Sequence, residues 1–145
     1  MAIATFKYLR FRISLWLSAR FLPLRVRHRP LSEILSLLKS GHSAPYRGLP
    51  IAYILGCIRR TARRPVLMRD RRCLREGLLA FQFLEAAGYE AELHFGIDTT
   101  TLSTPDLKAH CWIVYNNETV LNPPDTNIRP ILVYRDGIAT SASPG

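Results

Sequence analysis

Apolar positions in the first half of the chain recur with the spacing of α-helices. The first stripe comprises Phe6, Leu9, Ile13, Trp16 and Leu17. It predicts a basic amphipathic helix, because Lys and Arg occupy positions between its members. Its apolar side has three alternative partners: a membrane surface, another protein or, in the interpretation we favour, the rest of this domain. The prolines from Pro23 to Pro30 predict the end of this helix.

Three more helices are predicted. The second has apolar positions at Leu31, Ile34, Leu35 and Leu38, and the third, which follows Pro50, has them at Ile51, Ile54, Leu55 and Ile58. Asp70 is a suitable N-cap for a fourth helix, and Gly88 a suitable residue to end it. The apolar positions of this fourth helix are Leu74, Leu78, Phe81 and Leu84.

Alternation of apolar and polar residues then predicts strands over residues 91–97, 110–115, 119–122 and 131–134. Asn116-Asn117 predicts a tight turn between the second and third of them. Helices therefore come first and strands follow, which is typical of the α+β class.

Charge is distributed unevenly along the chain. Of the 20 Lys and Arg residues, 17 lie in the segment through Arg75, with two acidic residues; from Glu76 onward, three basic residues accompany nine acidic ones. A basic first half predicts an anionic partner such as nucleic acid, membrane headgroups or an acidic peptide. The alternative is that these arginines only cover solvated helix faces.

The three cysteines, Cys57, Cys73 and Cys111, are odd in number and lack paired spacing, which argues against a secreted disulfide framework. The sequence contains neither a CxxC nor an HxxxH spacing, so it does not predict a zinc site. Arginines interrupt the apolar runs before they reach the roughly 18 residues of a membrane span, and no signal-peptide pattern is found. We therefore expect a cytoplasmic protein with no bound metal and no membrane span.

Cys73 has the sequence context of a nucleophile. It follows Asp70 by three positions, so its sulfur is expected in the first turn of a helix, where free main-chain N–H groups and the helix dipole stabilise a thiolate. The same N–H groups can receive an oxyanion. Neighbouring positive charge comes from Arg71, Arg72 and Arg75.

His110, at the start of the second strand, is the candidate general base, and His94 is the reserve candidate. A third group must orient the imidazole, and both Asn122 and Asp125 return to its vicinity after the turn. A simple two-residue hairpin places Asn122 on the face opposite His110, unless a bulge or a longer turn intervenes. Both candidates therefore stay open.

The remaining residues of these types have structural interpretations. Cys57 and Cys111 are expected to be buried core thiols. Trp112 shares a strand face with His110, where it either shelters the imidazole or fills the core.

Two blocks, in this order, resemble the leader peptidases of lasso-peptide biosynthesis, a group of transglutaminase-like cysteine proteases. The first block is Arg72-Cys73-Leu74, with Leu78 and Leu79 in its helix and Gly88 before a strand. The second is Gly96, a short loop and Ala109-His110-Cys111-Trp112-Ile113. The likeness extends from Leu31 to Tyr134. It implies a transglutaminase-like (papain-like) cysteine protease fold, with N-terminal helices followed by a small antiparallel sheet.

On this resemblance, Cys73 is the nucleophile and His110 the histidine of a catalytic triad. The third residue of the family is usually an aspartate, and the corresponding position here is Asn122. Asparagine orients the imidazole in papain-like enzymes, so we expect Asn122 to take this role, with Asp125 as the alternative.

The resemblance further implies a cysteine peptidase that removes the leader peptide from a ribosomally made lasso-peptide precursor, without metal or other cofactor. A separate leader-recognition-element protein would present the leader, and an ATP-dependent cyclase would receive the freed core. Residues 1–65 would form a basic helical region that docks a partner or packs on the core. Residues 66–145 would form the catalytic part, and the whole is expected to be one compact domain.

Two other functions stay open. One is a transglutaminase-like acyl transferase that uses the same residues with an amine acceptor. The other is a basic nucleic-acid-binding domain without enzymatic activity, although the sequence has no recognisable reader motif.

Overall fold

The computed structural model describes residues 2–38, 43–63 and 71–142. Within these residues, four α-helices precede five strands: α1 Ala2–Val26, α2 Leu31–Leu37, α3 Ile51–Ala62, α4 Arg72–Ala86, β1 Glu92–Asp98, β2 Ala109–Tyr115, β3 Glu118–Leu121, β4 Ile128–Arg135 and β5 Ile138–Ser141. This order confirms the predicted α+β class. Asp70, and the predicted boundary between residues 65 and 66, lie outside the described residues.

The strands form one antiparallel sheet in the order β3-β2-β1-β4-β5. The four predicted strands are confirmed, although β4 is longer than predicted and β5 was not predicted. β5 is an exposed edge strand, so no apolar alternation marks it in the sequence. Asn116 and Asn117 both have positive φ, 50° and 62°, as the tight turns that fit the twist of a hairpin require.

Helix α4 forms the centre of the core. It packs against β2 and β1 as well as against α1 and α3. Its residues from Arg75 to Phe81 are buried, as are Phe83 and Leu84. Gly88, at φ 84°, ends the helix with a left-handed residue, as predicted. The position of α4 between the helices and the sheet fixes its first turn relative to the start of β2.

Helix α1 buries a different side from the predicted one. Its core-facing residues are Phe11, Leu15, Leu22 and Val26, each at most 7% exposed. The predicted stripe of Phe6, Leu9, Ile13, Trp16 and Leu17 is instead 43–65% exposed. The prediction that this stripe packs on the domain is therefore wrong. The helix is apolar on two opposite sides, and helical spacing does not distinguish the side that meets the core.

Helix α1 also continues through Pro23 to Val26, contrary to the predicted break. A proline inside a helix removes one main-chain hydrogen bond and costs about 3 kcal/mol. Leu22 and Val26, buried on either side of Pro23, keep the last turn against the core and offset this cost. No helix in the described part of the chain has the length and apolarity needed to cross a membrane.

Candidate active site

Cys73 is the second residue of α4, which confirms its predicted place in a first turn. The helix begins at Arg72, and Arg71 occupies the cap position without a side-chain cap hydrogen bond. The first N–H groups of a helix have no acceptor within it, so they are suited to bind an anionic group. The Cys73 side chain is partly exposed, whereas Cys57 and Cys111 are buried, as predicted.

The positive charge expected around Cys73 is partly neutralised. Arg72 Nε lies 2.9 Å from Glu76 Oε1, and the Glu76 side chain is only 4% exposed. Arg75 is buried, and its guanidinium donates to the carbonyl oxygen of Ala62. Burial lowers the pKa of Arg75, and the adjacent Glu76 carboxylate opposes this shift. Two of the three predicted cations are thus held by partners of their own.

The imidazole of His110 contacts the main chain of Asn122. Its Nε2 lies 2.9 Å from the Asn122 carbonyl oxygen. A carbonyl oxygen only accepts hydrogen bonds, so Nε2 carries the proton in this contact, and Nδ1 of the neutral ring keeps a free lone pair. The contact therefore selects the tautomer in which Nδ1 can accept a proton.

A bulge in the β2–β3 hairpin brings Asn122 to this position. Beyond the turn, Val114 pairs with Thr119, but Ile113 pairs with Leu121, so Val120 is the extra residue. The simple hairpin register would place Asn122 on the face opposite His110. The extra residue shifts the register by one, so Asn122 falls on the same face as His110. Arg59 Nη2 donates to the carbonyl oxygen of Val120 at 3.1 Å and so ties α3 to the bulge.

The nucleophile candidate meets the same cluster from the helix side. Cys73 Sγ donates a weak hydrogen bond, 4.0 Å long, to the carbonyl oxygen of Ala109, the residue that precedes His110. Asn122 Nδ2 donates to the Cys73 carbonyl oxygen at 3.4 Å. The structure thus brings Cys73, His110 and Asn122 together, although the thiol points to Ala109 rather than to the ring.

Asp125 does not join this cluster. It is exposed, and its main-chain oxygen accepts a turn hydrogen bond from Ile128 N at 3.0 Å. His94 is held elsewhere too, with Nε2 2.8 Å from Glu92 Oε2. Both alternative candidates are therefore outside hydrogen-bond contact with Cys73 and His110.

Trp112 supports the imidazole from one side. Its ring stacks on His110, with centroids 5.9 Å apart and planes 22° from parallel. The indole also contacts His94, with centroids 5.4 Å apart. Gly96 makes room for the indole: a Cβ there would lie 3.1 Å from Trp112 Cη2 and 2.6 Å from Ile128 Cγ2. Trp112 stacks on His110 and is itself only 4% exposed, so it shelters the imidazole from a buried position.

The opposite face of β2 carries Cys111 into the contact with α4. A Cβ on Gly77 would overlap Cys111 Sγ, so the helix and strand approach closely because residue 77 has no side chain. Burial, and secondarily the nearby Cys73, raises the pKa of Cys111 well above its ordinary value. Cys111 therefore stays a neutral core thiol.

Sequence reasoning missed Gly77 and Arg59, which shape this site, and it named Gly96 only as part of a family block, without a structural role. The two glycines had a signal, since a glycine inside a helix or strand often marks a close approach. Arg59 had none, because its partner lies 61 residues away in the sequence. No cluster of three or more His, Cys, Asp or Glu side chains suited to a metal ion occurs within the described ranges.

Comparison with known families agrees with this arrangement. The transglutaminase-like superfamily matches residues 9–133 of the chain. The chain belongs to the transglutaminase-like superfamily. Members of this superfamily commonly have cysteine-protease or acyltransferase activity, and membership suggests a function of that general type here. No curated protein and no solved structure matches the chain significantly.

Membership also confirms the predicted fold family, since the helices followed by an antiparallel sheet are those of a transglutaminase-like domain. The matched residues 9–133 contain Cys73, His110 and Asn122.

Proposed function

We propose that this chain is a cysteine peptidase that removes the leader peptide from a ribosomally made lasso-peptide precursor. The observation that carries the cysteine chemistry is the meeting of the first turn of α4 with the start of β2. There Cys73 contacts Ala109 and Asn122, and Asn122 contacts His110. Superfamily membership supports acyl-transfer chemistry at this point. The choice of substrate rests on the likeness of the Cys73 and His110 blocks to lasso-peptide leader peptidases.

His110 acts as the general base. With Nε2–H held by the Asn122 carbonyl, Nδ1 accepts the thiol proton once the Cys73 side chain has turned away from Ala109. Catalytic hydrogen bonds are often long without substrate and tighten in the substrate complex, so we expect the thiol to turn towards the ring when the precursor binds. The stacked indole of Trp112 keeps the imidazole of His110 in this orientation during the proton transfer.

The thiolate then attacks the scissile carbonyl carbon, and the first N–H groups of α4 bind the oxyanion. The imidazolium gives its proton to the departing amine, which releases the core with a free N-terminus. The leader remains as a thioester on Cys73. Water, deprotonated by His110, hydrolyses this thioester and restores the thiol.

Asn122 orients the imidazole through its main-chain oxygen, a group that every residue possesses. The contact therefore does not require a carboxylate side chain at position 122. This is consistent with asparagine at a position where the family usually has aspartate. A carbonyl oxygen carries no full charge, so it stabilises the imidazolium less than a carboxylate does.

The proposal includes three partners. The leader peptide of the precursor is the substrate, a leader-recognition-element protein presents it, and an ATP-dependent lasso cyclase receives the core. The peptidase step itself consumes no ATP.

The test combines the chain with a lasso precursor and its leader-recognition protein and follows the products by mass spectrometry. Wild-type protein should yield an intact core and a leader that has gained one water molecule. Cys73→Ala and His110→Ala should abolish cleavage, whereas Cys57→Ala, which removes a buried thiol outside the site, should retain it.

Three other results would count against the proposal. Cleavage that persists in Cys73→Ala removes the nucleophile from it. A leader joined to an added amine, in place of the hydrolysed leader, makes the chain an acyl transferase. Absence of cleavage together with salt-sensitive nucleic-acid binding favours the basic binding domain.

A further inference from the structure

One side of α1 remains apolar and exposed after the domain has folded. Of the twelve exposed large hydrophobic side chains in the described chain, seven lie on this helix. We call six of them the outward face; each is at least 51% exposed: Phe6, Leu9, Ile13, Trp16, Phe21 and Leu24. They extend over about 27 Å at the rise of an α-helix. An exposed, largely apolar strip of this length indicates a binding surface.

The charges on the same helix are all of one sign. α1 contains no acidic residue and carries five basic ones, Lys7, Arg10, Arg12, Arg20 and Arg25. At 100° per residue, Arg10 and Arg12 fall on opposite flanks of the outward face. Arg20 falls within it, and its aliphatic stem can lie along the apolar strip while the guanidinium reaches the surrounding water or headgroups.

A basic groove borders the outward face. It has a volume of about 1010 Å³ and lies between α1 and the end of α3. Its lining includes the apolar side chains of Trp16 and Leu24 and the basic ones of Arg20, Arg60 and Arg63. Guanidinium groups bind phosphate oxygens through paired hydrogen bonds, so the groove suits phosphate headgroups.

We propose that α1 docks on an anionic lipid surface, with its outward face in the headgroup layer and its arginines on the lipid phosphates. The other side of the helix is fixed to the core by Phe11 and Leu15, so the helix lies parallel to such a surface. Aromatic and aliphatic side chains flanked by Arg and Lys are the pattern of helices that bind this way.

Charge favours a lipid surface over a second copy of this chain. Two copies joined through their outward faces would bring their arginines together, and α1 has no acidic side chain to offset the repulsion. An anionic bilayer supplies the opposite charge along the whole strip.

The test is flotation of the full-length protein with vesicles of phosphatidylcholine, alone or mixed in equal parts with phosphatidylglycerol. Binding should require phosphatidylglycerol and weaken with added salt. Replacing Ile13 and Trp16 together by Gln should reduce the partition coefficient by roughly tenfold or more. Replacing Arg10, Arg12 and Arg20 by Gln should reduce it on the order of 100-fold. The matched control replaces Leu102 and Ile138, 56% and 65% exposed, by Gln and should bind like wild type.

Tryptophan fluorescence gives a second readout. Trp16 is 60% exposed and Trp112 only 4%, so a blue shift on vesicle binding should come from Trp16 and disappear in Trp16→Phe. Equal binding to neutral vesicles, or binding that Ile13→Gln/Trp16→Gln leaves unchanged, overturns the proposal. Two further results would also overturn it, because the partner of the outward face would then be a protein. One is concentration-dependent self-association that Ile13→Gln/Trp16→Gln abolishes. The other is binding to the leader-recognition protein, without vesicles, that the same variant abolishes.

Discussion

Replacing Gly77 by Ala tests whether the close fit of α4 against β2 holds the candidate catalytic residues in place. Gly77 lies one helical turn after Cys73, and its neighbour across the interface, Cys111, directly follows His110. An added Cβ would overlap Cys111 Sγ and would lie 3.3 Å from Leu93 Cδ1. Either the helix or the strand must therefore move, and either movement displaces one candidate from the other.

The expected free energies follow from this contact. Ala stabilises a helix interior relative to Gly by about 1 kcal/mol, whereas overpacking a buried site costs about 1–3 kcal/mol. Because Gly77 and Cys111 are both buried, we expect the upper part of that range and a net loss of about 1–2 kcal/mol of unfolding free energy. Cys111→Ala alone leaves a small cavity and should cost about 1 kcal/mol.

The double variant separates this explanation from a general loss of stability. In Gly77→Ala/Cys111→Ala the new methyl group occupies the space of the removed sulfur, so the unfolding free energy should return close to that of wild type. The coupling energy is then about 2–3 kcal/mol, measured by urea unfolding of all four proteins. Precursor cleavage should fall in Gly77→Ala and recover in the double variant.

Gly56→Ala is the matched control, since it also lies in a helix interior but a Cβ there would have no neighbour within 4 Å. It should raise the unfolding free energy by up to about 1 kcal/mol. The reasoning is refuted if Gly77→Ala stabilises as Gly56→Ala does, or if the Gly77 and Cys111 effects add to within about 0.5 kcal/mol.

Three further predictions concern the site and its surroundings. Asn122 has φ 52° and contacts the imidazole through its main chain, so Asn122→Gly should retain more precursor cleavage than Asn122→Ala, and Asp125→Ala should leave it unchanged. Burial, and secondarily Asp136, raises the pKa of Glu85 to about 7. Its stabilising contribution is therefore fully present below about pH 4.5 and is lost as the pH rises through about 7. Between these pH values, the unfolding free energy measured with urea should fall by about 1 kcal/mol less in Glu85→Gln than in wild type, after allowance for solvent screening. Iodoacetamide should modify Cys73 in the native protein and spare the two buried cysteines, as read by peptide mass spectrometry.

Each of these has a contrary outcome. A larger loss in Asp125→Ala than in Asn122→Ala would give the orienting role to Asp125. A Glu85→Gln profile parallel to that of wild type would mean that Glu85 titrates normally. Rapid native alkylation of Cys57 or Cys111 would mean that the core opens readily around them.

Much of the element order could be predicted because it depends on local chemistry. The apolar spacing around Leu78 and Phe81 predicts a buried helix, and the two asparagines after Tyr115 predict a turn that only residues tolerant of positive φ form readily. The first-turn position of Cys73 follows from the same helix pattern. Burial of Cys111 follows from strand alternation next to His110.

Predictions failed where contacts between distant parts of the chain outweigh the local sequence preference. Pro23 breaks an isolated helix, but Leu22 and Val26 are anchored in the core and hold the last turn of α1 together. The exposed strand β5 gains its place from main-chain pairing with β4, which leaves no periodic signal in its side chains.

The amino-acid sequence by itself determined the α+β order of elements, the nucleophile candidate at a helix start and the uneven charge, because spacing, capping and composition act over a few neighbouring residues. Only the tertiary structure decided which side of α1 meets the core and which residue reaches His110. The first choice depends on which apolar side fits the surface of α3 and α4. The second depends on one extra residue at Val120, whose effect on strand register appears only when β3 pairs with β2 and Arg59 holds its carbonyl.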